Sequence, residues 1–185
     1  MDKETDFSMT DEDRFSMTDE DIFSMTDEEI AASRVVIVDD DPLITMSLRS
    51  FLELELEIEP VVFNVSTEAS VFVKSESFDV IMSDFLMPDM DGIQLLTEAH
   101  HARPIAPRIL LTGYADKENA IKAINEARLF QYIEKPWDNE HVKNVLINAL
   151  ERHHLIATIQ KYVAELGETR RNLAGLKRGI LRAFS

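Results

Sequence analysis

Four places in this sequence could do chemistry together. Asp39-Asp40-Asp41 closes the β-branched run Val35-Val36-Ile37-Val38, and Asp84 closes Val80–Ser83. Thr112 closes Ile109–Leu111, and Lys135-Pro136 follows Phe130–Ile133. Clustered carboxylates repel one another and persist around a cation, and oxygen ligands with a few waters suit Mg2+ or Mn2+ better than zinc. A lysine and a hydroxyl nearby supply the donors a phosphoryl group needs. These residue types point to a magnesium-dependent site for a transferable phosphoryl group, with a carboxylate as the nucleophile.

Such a site requires distant segments to meet. Apolar β-branched runs suited to strands buried on both faces occur at Val35–Val38, Ile58–Val65, Val80–Ser83, Ile109–Thr112 and Phe130–Ile133. Stretches with helical spacing lie between them: Leu43 to Leu52, Ala69 to Val73, Ile93 to Ala99, Ala120 to Ala127 and Val142 to Leu150. Strand and helix alternate five times, which predicts an α/β fold with a parallel sheet and helices on both faces. The carboxyl ends of parallel strands share one edge, so all four places converge there.

The chain on either side of this core reads differently. Phe7–Asp13 recurs from Phe15 and again from Phe23 with a period of eight, so residues 1–33 are expected to form a disordered acidic tail. Thr26-Asp27-Glu28-Glu29 before Ile30-Ala31-Ala32 has the spacing of a capping box and predicts a short helix ahead of Ser33. Residues 34–150 form the expected core domain. Residues 151–185 continue the last helix, with Ile159, Leu166, Leu173 and Ile180 spaced by seven, which predicts a coiled coil or a linker to an output domain. The competing reading is one amphipathic helix folded back on its own domain.

The formal net charge of −16 argues against direct nucleic-acid binding, because phosphate contacts need clustered Lys and Arg. Cysteine is absent, which excludes disulfides and thiolate sites. No membrane span or signal peptide is expected, so the cytoplasm is the default location.

Val38-Asp39-Asp40-Asp41-Pro42, Asp84–Gly92, Leu111–Asp116 and Tyr132–Trp137 together resemble the receiver domain of bacterial two-component response regulators. The resemblance covers residues 34–150 and implies a doubly wound, flavodoxin-like five-stranded sheet of order 2-1-3-4-5, with an extended C-terminal helix. It implies that Asp84 accepts a phosphoryl group from a histidine kinase or phosphotransfer protein. Asp39, Asp40, Asp84 and the backbone carbonyl of Leu86 would hold Mg2+, Lys135 would pair with the phosphoryl oxygens, and Thr112 would donate its hydroxyl. Thr112 and Tyr132 would form a switch biasing the receiver's fourth helix, fifth strand and fifth helix. A cis bond is expected before Pro136. The protein would catalyse only its own phosphorylation and dephosphorylation, act as a homodimer, and signal to a downstream protein or output domain.

Other groups compete weakly. Asp89-Met90-Asp91-Gly92 resembles a fragment of a calcium loop, but the rest of that loop is missing, and a turn capping the third of the alternating helices is the favoured reading. The pairs His100-His101 and His153-His154 point apart on a helix, which favours surface placement over metal binding. Bulky Leu86 and Tyr114, two residues beyond Asp84 and Thr112, suggest slow loss of phosphate. The alternative function is a scaffold that binds partners through its acidic repeats and C-terminal helix, independent of phosphate.

Overall fold

The computed structural model describes residues 24–113 and 128–183. In chain order the elements are α1 (Asp27–Ala31), β1 (Val35–Val38), α2 (Pro42–Glu55), β2 (Val61–Phe63), α3 (Ser66–Ser75), β3 (Val80–Asp84), α4 (Gly92–Ala102), β4 (Arg108–Gly113), β5 (Gln131–Lys135) and α5 (Asn139–Ala183). The strands form one parallel sheet in the order β2-β1-β3-β4-β5. The expected helix around Ala120–Ala127 lies outside the described residues, as do Tyr114 and the first two repeats.

The alternation of side chains along each strand divides the core in two. Val35 and Ile37 of β1 face one way with Met82, Ile109 and Ile133, against Leu48 and Leu52 of α2 and Val142, Leu146 and Leu150 of α5. Val36 and Val38 face the other way with Ile81 and Leu110, against Ala69 and Val73 of α3 and Leu95, Leu96 and Ala99 of α4. All four β1 residues are buried, which is why the run carries no polar alternation.

Caps fix where the helices flanking the site begin. Asp41 caps α2, its carboxylate accepting from the Leu43 N–H at 2.9 Å, with Pro42 in the first turn. Asp91 caps α4 by accepting from the Gln94 N–H at 2.8 Å. The Asp89–Gly92 segment is therefore the helix-starting turn.

Two boundaries differ from the sequence reading. β2 is shorter than the run Ile58–Val65, because Pro60 has no N–H and the Ile58 N–H is drawn back to the Leu52 carbonyl at 3.2 Å. Residues 24–33 also belong to the folded body rather than to a disordered tail. Thr26 and Glu29 form the reciprocal capping box, and Ile30, only 7 % exposed, joins the core between α2 and α5. Residues 1–23 lie outside the described residues.

α5 runs for 45 residues and does not fold back. Ile159, Leu166 and Leu173 are all exposed. Among the described residues, no helix is long and apolar enough to cross a membrane.

Two leucines on α2, separated by Glu53, test this packing. Leu52 is fully buried and Leu54 is 82 % exposed. Leu52→Ala is expected to cost about 2–5 kcal/mol in urea denaturation. Leu54→Ala is expected to stay within about 0.5 kcal/mol of wild type.

Candidate functional site

The strand ends deliver their polar residues to one edge. Asp39 follows β1 and stays buried, because its N–H extends the ladder to the Phe63 carbonyl of β2 at 3.2 Å. Asp84 is the last residue of β3 and is also buried. Lys135 ends β5 and reaches both: its Nζ donates to Asp39 Oδ2 at 2.7 Å and to Asp84 Oδ1 in a very short contact. The remaining carboxylate oxygens take backbone donors. Asp39 Oδ1 accepts from the Asp41 N–H at 2.9 Å, and Asp84 Oδ2 accepts from the Leu86 N–H at 2.8 Å.

The Lys135 ammonium thus supplies one positive charge to the clustered acids. One positive charge shared by two buried carboxylates leaves the group negative overall. Burial raises the Asp84 carboxyl above its ordinary pKa; the bonds and charge of Lys135 pull it back only partly, and the charge of Asp39 raises it further. Burial works against the Lys135 ammonium, but its bonds to Asp39 and Asp84 outweigh that and hold its pKa above the usual lysine value.

The other expected members are not tied into this bridge. Asp40 is exposed. Among the described residues, no three His, Asp or Glu side chains gather closely enough to form a ready metal cage. Thr112, on β4 between β3 and β5, is fully buried and spends its hydroxyl on the Gly113 carbonyl at 3.3 Å. Leu86 is 60 % exposed. Tyr132 is half-buried on β5 and packs against the α3–α4 side of the core. The Lys135–Pro136 bond is cis, as expected.

Two supporting residues, Asn64 and Ser66, and one contact, that of Gly92, escaped the sequence reading. Asn64 donates to the Asp39 carbonyl at 2.8 Å and to the Thr45 hydroxyl at 3.0 Å, fixing the end of β1 from the β2 side. Ser66 donates to the Pro88 carbonyl at 2.9 Å and anchors the loop after Asp84. Gly92 lets that loop close against Asp84: a Cβ there would lie 2.0 Å from the Asp84 carbonyl oxygen. A polar residue directly after a strand was the available signal for Asn64. Nothing local in the sequence marks the Gly92 contact.

The sequence matches the family profile described as response regulator receiver domain over residues 35–147, more than half of the chain. The protein belongs to the receiver domain family. Over 132 residues this receiver is 32 % identical to the hydrogenase transcriptional regulatory protein HoxA of Cupriavidus necator, covering 71 % of this chain and 27 % of that protein. It is 28 % identical to the C4-dicarboxylate transport transcriptional regulatory protein DctD of Pseudomonas aeruginosa, covering 82 % of this chain and 33 % of that one. The chain therefore spans about a quarter to a third of the curated relatives it matches. The crystal structure of the signal receiver domain of an HD domain-containing protein from Pseudomonas fluorescens Pf-5 superposes with a TM-score of 0.61 at 33 % identity, covering 66 % of this chain and 97 % of that one.

The receiver's charge imbalance has a consequence for stability. The folded pKa of Asp84 lies above its ordinary value of 3.8, so the fold prefers the neutral form and loses stability as Asp84 ionises with rising pH. Asp84→Asn, neutral throughout, is expected to raise the urea midpoint near pH 7 in metal-free buffer. That gain should shrink as the pH falls and Asp84 itself takes up a proton. A gain that stays constant as the pH falls would contradict the assignment.

Proposed function

We propose that Asp84 accepts a phosphoryl group from the phosphohistidine of a histidine kinase or phosphotransfer protein. An Asp84 carboxylate oxygen forms the new bond to phosphorus as the P–N bond breaks, and the departing imidazole takes up a proton. The observation that carries this reading is the Lys135 ammonium lying between Asp39 and Asp84. Lys135 neutralises the nucleophile in the resting state and is within reach of new anionic oxygens on Asp84 once the phosphoryl group is bound.

Asp39, Asp40, Asp84 and the Leu86 carbonyl would hold Mg2+ in this reading. The donor set suits the ion, since it is made of hard oxygens and the bridged carboxylates keep an uncompensated negative charge. When bound, the ion would supply charge neutralisation for the incoming phosphoryl oxygens; Mn2+ has the same ligand preference. Asp39 is held in place by Asn64 and Asp41, so it is already oriented.

Thr112 would give up its long bond to the Gly113 carbonyl and donate to a phosphoryl oxygen. Movement of that buried residue changes the surface beside Tyr132 and β5, a local charge event acting on a packed face. α5 continues directly from this face and bears exposed Ile159, Leu166 and Leu173, so we assign it to homodimer contact and to passing the change to a downstream protein or output domain. In this reading the chain is a signalling receiver that catalyses its own phosphorylation and dephosphorylation.

Intact mass after incubation with acetyl phosphate and Mg2+ tests the reading. Wild type should gain one phosphoryl group and Asp84→Asn none. Sedimentation of the same samples should show a dimer that Leu166→Asp dissociates. A mass gain that survives Asp84→Asn, or none in wild type while a control receiver is modified, would move the assignment to a phosphate-independent scaffold.

A further inference from the structure

The acidic repeats have a structural role that the phosphoryl chemistry does not use. The third repeat is docked on the receiver. The Thr26 hydroxyl accepts the Glu29 N–H at 3.2 Å, and Glu29 Oε2 accepts the Thr26 N–H at 2.9 Å. Ile30 is buried among residues of α2 and α5, and Met25 packs against the same cluster. The docked unit therefore reads Met25-Thr26-Asp27-Glu28-Glu29-Ile30.

Eight residues earlier the chain reads Met17-Thr18-Asp19-Glu20-Asp21-Ile22. This copy keeps the apolar anchors and the capping threonine, and it keeps a carboxylate at the capping-box position on a stem shorter by one carbon. The first repeat differs where it matters: Arg14 stands in the place of Ile30, and a guanidinium does not enter an apolar pocket without a partner. Two of the three repeats thus carry what the docking surface reads.

The surface also has room for a second register. A groove of about 640 Å³ runs beside α1, bordered by Ile30, Ala31, Leu56, Lys143 and Ile147. If the chain slips by one repeat, Ile22 takes the place of Ile30 and Phe23 takes the place of Ala31, at this groove. The occupied register leaves the groove facing an alanine; the slipped one offers it a phenyl ring. Slippage lengthens the connection to β1 by eight residues, a cost that rises only logarithmically with loop length.

We propose that the surface between the end of α2 and the first half of α5 is a docking site for two interchangeable segments of this chain, and that Phe15–Ile22 displaces the third repeat in a minor register. The third repeat holds the site at rest for two reasons. Glu29 reaches its capping bond with the longer side chain, and Ser33 ties the end of α1 through its hydroxyl to the Glu29 carbonyl at 2.9 Å and its N–H to the Ile30 carbonyl at 3.0 Å. In the slipped register Met25 stands where Ser33 was, and the hydroxyl bond is lost.

A double-mutant cycle in the full chain tests this by urea midpoint. Ile22→Asp alone should leave the midpoint unchanged, since the third repeat fills the site. Ile30→Asp should lower it, and Ile22→Asp in that background should lower it again because the substitute is gone. Adding Arg14→Ile to the double variant should recover part of the loss by making the first repeat competent. Ile30→Ala replaces Ile30→Asp if the latter does not fold. The proposal is overturned if Ile22→Asp has no effect in the Ile30 background, or has the same effect in both backgrounds. It is also overturned if the Ile22 effect grows with protein concentration, which would place the second repeat on another copy of the chain.

Discussion

One ammonium shared between two buried carboxylates is the constraint on which the rest of the site depends. Asp39 and Asp84 end neighbouring strands, so their charges are forced together by the sheet and cannot separate without breaking it. Lys135 comes from β5, two strands from β3, a span on the order of 10 Å at ordinary strand spacing. Only a long side chain can bridge it, and β4, which lies between, carries Thr112. The site therefore brings together two carboxylates, their counter-charge and a hydroxyl because four strands are parallel and share one edge.

The sheet alone would leave this arrangement open. It is closed by backbone: the Leu86 N–H on Asp84, the Asp41 N–H on Asp39, and the loop drawn in until Gly92 meets the Asp84 carbonyl. These contacts spend the carboxylate oxygens that Lys135 does not use, so each acid is held in one orientation. A buried pair tied down in this way is costly for the fold, and burial accordingly holds the Asp84 carboxyl above its ordinary pKa.

Much of this was legible in the sequence because it depends on period and position. Apolar β-branched runs gave five strands, and an acid, a hydroxyl or a lysine at a run's end could belong only to the shared edge. Asp41 and Asp91 read as caps because a carboxylate ahead of an apolar helical stretch has few other uses. What stayed hidden depends on contacts between distant segments. Lys135 as the resting counter-ion, Asn64 as the brace for Asp39, and Gly92 against the Asp84 carbonyl have no signature in their own neighbourhoods. The tail boundary at Ser33 failed for a related reason: the acidic composition of the repeat outweighed Met25 and Ile30, whose partners lie on α2 and α5.

The central claim is that Lys135 occupies, in the resting protein, the charge position that a divalent ion would share. Trp137, the sole tryptophan, lies beside Lys135 and Pro136, so its fluorescence is the readout for this site. Mg2+ titrations should therefore compare wild type with Lys135→Met, with Lys143→Met as a control for net charge, since Lys143 pairs with Glu55 instead. The account predicts that Lys135→Met tightens Mg2+ binding by about tenfold or more, a gain of about 1.4 kcal/mol, while Lys143→Met leaves it nearly unchanged. Equal or weaker binding by Lys135→Met would contradict it.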